Sequence, residues 1–231
     1  MPVFALPEQF VFPHPSLAEP DGLLAIGGDL QPGRLLAAYR QGIFPWYNRK
    51  PVLWWSPDPR CVFFPHEFKA PKSLLQIIRK DIFEIRMDTC FEQVIHHCAT
   101  VKRKGEKGTW ITPDVRRAYC TLHEMGFAHS VETFYESRLV GGLYGVSLGG
   151  TFFGESMFHL LPNAAKVALF YLIDFCLKNN ITLIDNQVTS SLLLRLGARE
   201  ISRQDFLLLL QKNNQQKTLQ GKWKVAPCSS H

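Results

Sequence analysis

Residues 150–187 read as strand, helix, strand, and no other stretch limits the possible folds as tightly. "GTFFGE" is a short apolar run ending on Glu155, and "NAAKVALFYLIDFCLKNN" is a helical segment with Asn163 placed as its N-cap. "ITLIDNQ" is a β-branched apolar run ending on Asp185 and Gln187. Two strands joined by a helical crossover run parallel when they share a sheet. Their C-terminal ends then lie on one edge, which is where open α/β sheets bind ligands. Glu155, Asp185 and Gln187 are therefore expected to converge, with Asp185 and Gln187, two positions apart, on the same face of their strand. One reading of the cluster is polar capping of strand ends. The other is a site that handles a proton and binds an amine, since a carboxylate orients an amide and attracts a cation.

The flanking segments point to a mixed α/β (α+β) chain in two parts. Residues 1–63 are rich in proline, glycine and tryptophan, with one helix over "QPGRLLAAYRQG". Pro45, Pro51, Pro57 and Pro59 exclude long regular elements after it, so this part reads as a small irregular N-terminal domain. Over residues 64–231 helical periodicity marks "SLLQIIRKD", "CFEQVIHHCATV" and "TPDVRRAYCTLHEMG". The last has Thr112 as N-cap, Pro113 in the first turn and Gly126 as its stop. "SVETFYE", "LVGGLYGV" and "GTFFGES" read as a meander of strands, and "SRQDFLLLLQKN" as a closing helix. An apolar fraction of 46% is enough to bury a packed core.

Several function classes lose support. "GESMF" lacks the second glycine of a nucleophile elbow, since Phe158 stands there, and "AIGGDLQPG" is not a phosphate-cradling loop. Six cysteines include no C-x-x-C pair, and "HHC" at residues 96–98 has no companion cluster of zinc spacing, so reduced thiols, no metal and a cytoplasmic setting are expected. The N-terminal stretch lacks the pattern of a signal peptide, and "LVGGLYGVSLGGTFFG" is too short to span a bilayer, so no membrane association is expected. A net charge of +6 favours an anionic partner. Lys102, Arg103, Lys104 and Lys107 lead into Trp110, with further cations at Lys69, Lys72, Arg79 and Lys80 and tryptophans at Trp46, Trp54 and Trp55. A charge run is by default a solvated face and a tryptophan a core residue; cations beside stacking aromatics also suit a single-stranded RNA end.

Taken together, "PDGLLAIGGDL", "LLAAYRQGIFPWY", "LWWSPDPR", "GTWIT", "HSVE", "LVGGLYGV", "FFGESMF", "LIDNQV" and "LGAREISR" resemble the leucyl/phenylalanyl-tRNA–protein transferases, in the order that family shows them and over residues 20–206. The resemblance implies a small N-terminal domain followed by an acetyltransferase-like (GNAT) domain. It implies transfer of leucine or phenylalanine, with methionine as a third donor, from aminoacyl-tRNA to the α-amine of proteins beginning with Arg or Lys, which marks them for degradation by the N-degron route. No metal or small cofactor is implied, and a coenzyme A pyrophosphate loop is absent where "HLLPNAAK" stands. Position by position, Asp185 and Gln187 match the catalytic acid–amide pair and Glu155 the acid of "GESMF". Trp46 and Trp110 match residues that meet the terminal adenosine of the tRNA, and Leu143, Met157 and Phe153 the apolar pocket for the transferred side chain. Leu192, Arg195 and Ala165 depart from the family's histidine, serine and serine.

An aminoacyl ester is already activated, so its aminolysis needs a neutral amine and good positioning. Asp185 is expected to orient Gln187, whose amide oxygen takes a hydrogen from the attacking amine, while Glu155 favours a cationic acceptor. Two other classes stay open on the residues alone: a coenzyme A-dependent N-acetyltransferase and a non-catalytic tRNA-binding protein.

Overall fold

The computed structural model describes residues 3–101 and 109–225. In chain order the elements are β1 (Phe4–Ala5), β2 (Leu23–Ile26), α1 (Pro32–Tyr39), β3 (Phe44–Pro45), β4 (Leu53–Trp55), β5 (Arg60–Phe63), α2 (Lys72–Arg79), β6 (Glu84–Met87) and α3 (Phe91–Thr100). They continue as α4 (Pro113–Glu124), β7 (Ala128–Tyr135), β8 (Arg138–Leu148), β9 (Thr151–His159), α5 (Ala164–Lys178), β10 (Leu183–Gln187), α6 (Ser191–Arg195), β11 (Arg199–Ile201) and α7 (Arg203–Asn213). A four-stranded sheet has the order β1-β2-β4-β3, and a seven-stranded sheet the order β11-β5-β10-β9-β8-β7-β6. The fold is mixed α/β, and among the described residues no helix is long and apolar enough to cross a membrane.

The crossover forms as its residue types require. β9 and β10 pair in parallel, Leu183↔Thr151, Ile184↔Phe152 and Asp185↔Phe153, with α5 as the connection. α5 is apolar nearly all round and buries Val167, Ala168, Leu172 and Ile173, as a helix laid on a sheet face must. Asn163 takes the N-cap position with a left-handed φ of +67° and makes no side-chain cap; its Oδ1 accepts from Lys166 Nζ at 3.2 Å instead. Thr112 does cap α4, its side chain accepting from the Val115 N–H at 3.3 Å.

The two sheets divide between Trp55 and Arg60. β5, which composition grouped with residues 1–63, is an inner strand of the larger sheet, antiparallel to β10 on one side and β11 on the other. All four of its residues are buried, and the prolines around it hid that continuous run. One hydrophobic cluster joins Leu24, Leu35, Tyr39 and Trp54 of the first part to Tyr144, Phe153, Leu183 and Phe206 of the second, so the small sheet shares the core of the large one. After α7 the chain returns across the sheet as a strap. Gly149 N–H donates to Thr218 Oγ1 at 2.9 Å and Gly221 N–H to the Gly126 carbonyl at 3.1 Å. Trp223 then stacks on His129 with ring centroids 3.9 Å apart and on Phe175 at 4.2 Å.

Candidate active site

Parallel pairing between β9 and β10 ends at Phe153↔Asp185, yet β9 runs on to His159. Beyond that point a cavity of about 510 Å³ lies between residues 154–157 and residues 186–190. Leu143, Phe152, Met157, Leu169, Leu172 and Ile184 make its apolar wall, and Glu155 and Gln187 face it as polar groups. Glu155 thus sits in mid-strand, two residues past Phe153, the last residue of β9 paired with β10, rather than at the strand's end.

Asp185 lies behind this wall. Its side chain is fully buried, with Oδ1 accepting from Arg60 Nε at 2.8 Å and Oδ2 from Arg60 Nη2 at 2.6 Å. The Arg60 guanidinium is held 5.0 Å from the Phe44 ring centre and 4.5 Å from that of Phe206. Oδ1 also accepts the Gln187 backbone N–H at 2.9 Å. That bond holds Gln187 at a φ of +57°, unusual for a residue with a side chain. Pairing with β5 slips at the same place, Asp185 opposite Val62 but Gln187 opposite Cys61, so Asn186 is the extra residue of a bulge. The bulge breaks the two-residue alternation, and the pair is not joined by a shared strand face. Asp185 orients Gln187 through its backbone, and Arg60 neutralises the Asp185 charge.

Glu155 collects donors from three other elements. Tyr39 Oη donates to Oε1 at 2.6 Å, Tyr119 Oη to Oε2 at 3.2 Å, and Gln187 Nε2 to Oε1 at 3.4 Å. The two tyrosine hydroxyls are also hydrogen-bonded to each other. Tyr39 closes α1 and Tyr119 lies on α4, and both are fully buried. Enclosure pushes the Glu155 carboxyl up to about 7, against the Tyr39 and Tyr119 hydroxyls, which favour the carboxylate; the Asp185 charge raises it and the Arg60 charge lowers it. Burial, and then the Glu155 charge, hold both phenols well above their ordinary range.

Sequence reasoning singled out neither Arg60 nor the tyrosines. Each stands alone in its segment, and the contact that gives it a role crosses more than thirty positions of chain. Of the expected pocket residues, Leu143 and Met157 do line the cavity, but Phe153 does not. Neighbouring side chains on β9 point to opposite faces, so Phe152 lines the cavity and Phe153 is buried against Tyr39, ring centres 5.0 Å apart. Leu192 lines the cavity too, which places one departure from the family pattern inside the site. Trp46 is 45% exposed, edge-on to Trp55, and Trp110 is half-buried against the core; neither lines this cavity. Trp54 is fully buried, donating Nε1–H to the Gly27 carbonyl at 2.9 Å. Lys102, Arg103, Lys104 and Lys107 lie outside the described residues.

Comparison with known proteins bears on what such a cavity serves. The profile described as "Leucyl/phenylalanyl-tRNA protein transferase" matches residues 62–211, and the one for the N-terminal domain of the same proteins matches residues 28–58. The chain belongs to this family. The leucyl/phenylalanyl-tRNA–protein transferase of Thermodesulfovibrio yellowstonii is 52% identical over 96% of this chain and 91% of its own length. That of Syntrophobacter fumaroxidans is 52% identical over 99% of this chain and 98% of its own. Family membership makes the chain an aminoacyltransferase, and the two matched regions part between residues 58 and 62, where the sheets divide. Among solved structures, a GCN5-related N-acetyltransferase from Kribbella flavida aligns with a TM-score of 0.38 at 9% identity, over 74% of this chain and 61% of that one.

Proposed function

We propose that this aminoacyltransferase moves leucine or phenylalanine, with methionine as a third donor, from aminoacyl-tRNA to the α-amine of proteins beginning with Arg or Lys. In a cytoplasmic N-degron route, this product would be the degradation mark. The observation that carries the reading is the cavity between the diverging strands, where an apolar wall for a side chain meets the Glu155–Gln187 pair. Leucine and phenylalanine differ in shape, and a wall that includes Met157 adapts to both. Holding ester and amine together supplies on the order of 7–11 kcal/mol of the barrier at the limit.

In this reading Gln187 gives Nε2 to Glu155 and keeps its carbonyl oxygen as an acceptor for the incoming amine. Asp185 supports it as a positioning residue. Because Arg60 cancels the Asp185 charge, attraction for a cationic acceptor falls to Glu155. Trp46, Trp110 and the basic run from Lys102 to Lys107 are assigned to the tRNA, and no metal or small cofactor takes part.

Labelled leucine presented as leucyl-tRNA should pass to a peptide starting with Arg and not to the same peptide starting with Ala. Labelling of neither, with tRNA still bound, would sink the reading. Leu143→Phe should raise the KM for a phenylalanyl donor more than for a leucyl donor; equal effects would remove Leu143 from the pocket.

A further inference from the structure

Tyr39, Tyr119 and Glu155 form a closed triangle: each phenol touches the carboxyl, and the phenols touch each other. Counting protons shows which state the triangle suits. Each phenol carries one proton and an ionised carboxylate none, so two protons serve three oxygen–oxygen contacts. One more proton fills every edge. Oε1 already accepts from Tyr39 and from Gln187 Nε2, so the added proton belongs on Oε2. From there it is donated to Tyr119, Tyr119 donates to Tyr39, and Tyr39 donates to Oε1.

We propose that Tyr39 and Tyr119 are positioning residues of the transfer reaction, closing a three-proton ring when Glu155 takes a proton from the acceptor's α-ammonium. The proposal rests on the transferase reading above. In the step itself, an ammonium N–H bond breaks and an O–H bond forms on Glu155. The freed lone pair attacks the ester carbonyl carbon, forming C–N, and the bond from that carbon to the ribose oxygen breaks. The nitrogen passes its next proton to that oxygen, leaving an amide and a tRNA hydroxyl. Glu155 returns its proton to water.

The surroundings fit a carboxyl that changes state within the working range. Glu155 faces the cavity, while both phenols are shut away from it in the core. The groups that bear on its charge are Tyr39 from α1, Tyr119 from α4, Asp185 and Gln187 from β10, and Arg60 from β5. Asp185 and Arg60 form a closed ion pair, so their opposed effects largely cancel. The carboxyl thus titrates at about 7, near the range in which free α-amines lose their proton.

The test reads the proton and the reaction separately. Infrared difference spectra against pH should show a carboxylic-acid C=O band titrating near 7 in the wild type and missing in Glu155→Gln. In the ring each phenol makes two contacts when Glu155 is protonated but gives only one to the ionised carboxylate. Tyr39→Phe and Tyr119→Phe should therefore each move the midpoint downward, whereas an upward shift would leave the phenols as mere donors to the carboxylate and overturn the ring. The double variant should move it by less than the sum, because breaking either contact opens the ring. The acid limb of single-turnover leucyl transfer should follow the same order. No titrating band in the wild type, or shifts that simply add, would overturn the ring. Transfer that slows in the Phe variants with an unmoved acid limb would reduce the tyrosines to packing. A wild type that titrates the band and transfers nothing would instead overturn the transferase reading and leave the ring standing.

Discussion

Asp185 and Glu155 are both acids of one small site, and their surroundings give them opposite tasks. Asp185 has a bidentate guanidinium partner in a fully buried setting, so removing it leaves Arg60 as an unpaired buried charge. Asp185→Ala should therefore cost about 3–5 kcal/mol of stability in a denaturant titration. A variant as stable as the wild type but inactive would return Asp185 to the chemistry. Glu155 carries a carboxyl raised from 4.5 to about 7, so the folded state binds its proton more tightly than the unfolded chain does. Its contribution to stability is present below pH 4.5 and lost as pH rises through about 7. Glu155→Gln cannot titrate, and melts across that window should fall less steeply with pH than those of the wild type. Parallel profiles would mean the carboxyl is not enclosed in solution.

At the scale of elements, the site exists because β9 outlasts β10. β8 keeps pairing with β9 up to Gly141↔His159, which lets residues 154–157 stay in strand geometry with one edge free of β10. Two glycines facing each other across that ladder carry different loads. A Cβ on Gly145 would lie 2.2 Å from the Phe153 carbonyl oxygen, a backbone atom held in the ladder, and 2.5 Å from the buried Phe152 ring. A Cβ on Gly154 meets nothing nearer than Asn186 Oδ1 at 3.6 Å. Gly145→Ala should destabilise by about 1–3 kcal/mol or more, whereas Gly154→Ala should fold normally and raise KM by narrowing the cleft. Equal thermal stability of the two variants would contradict this account.

For the whole molecule, the shared core and the C-terminal strap make one cooperative unit of two sheets. Trp223 is the fastening: its ring lies against His129 and Phe175, and its backbone N–H donates to Asp88 Oδ2 at 2.7 Å. Asp88 also takes the Ser130 N–H and bonds His129 Nδ1, both at 2.8 Å, so one buried acid ties the strap to β7. Trp223→Ala should cost about 3–5 kcal/mol. Unfolding should remain a single transition by fluorescence and by far-UV circular dichroism. Two separate transitions would mean that the small sheet folds apart from the large one.

The crossover, the meander and the helices that carry strong periodicity were legible because hydrophobic spacing and turn residues are local properties. The convergence of Glu155 with Gln187 was legible for a related reason: a helical connection leaves two strands little choice of direction. Tertiary structure alone decided the rest. β11 and α6 are too short for a period to show, and β5 lies among prolines that break its pattern. Gln187 stands where it does because of a bulge, and Phe152 rather than Phe153 faces the cavity because of the register of β9. Arg60, Tyr39 and Tyr119 act through partners 125, 116 and 36 positions away, respectively. A sequence names the groups that can donate and accept, but only the packed chain brings a donor within reach of its acceptor.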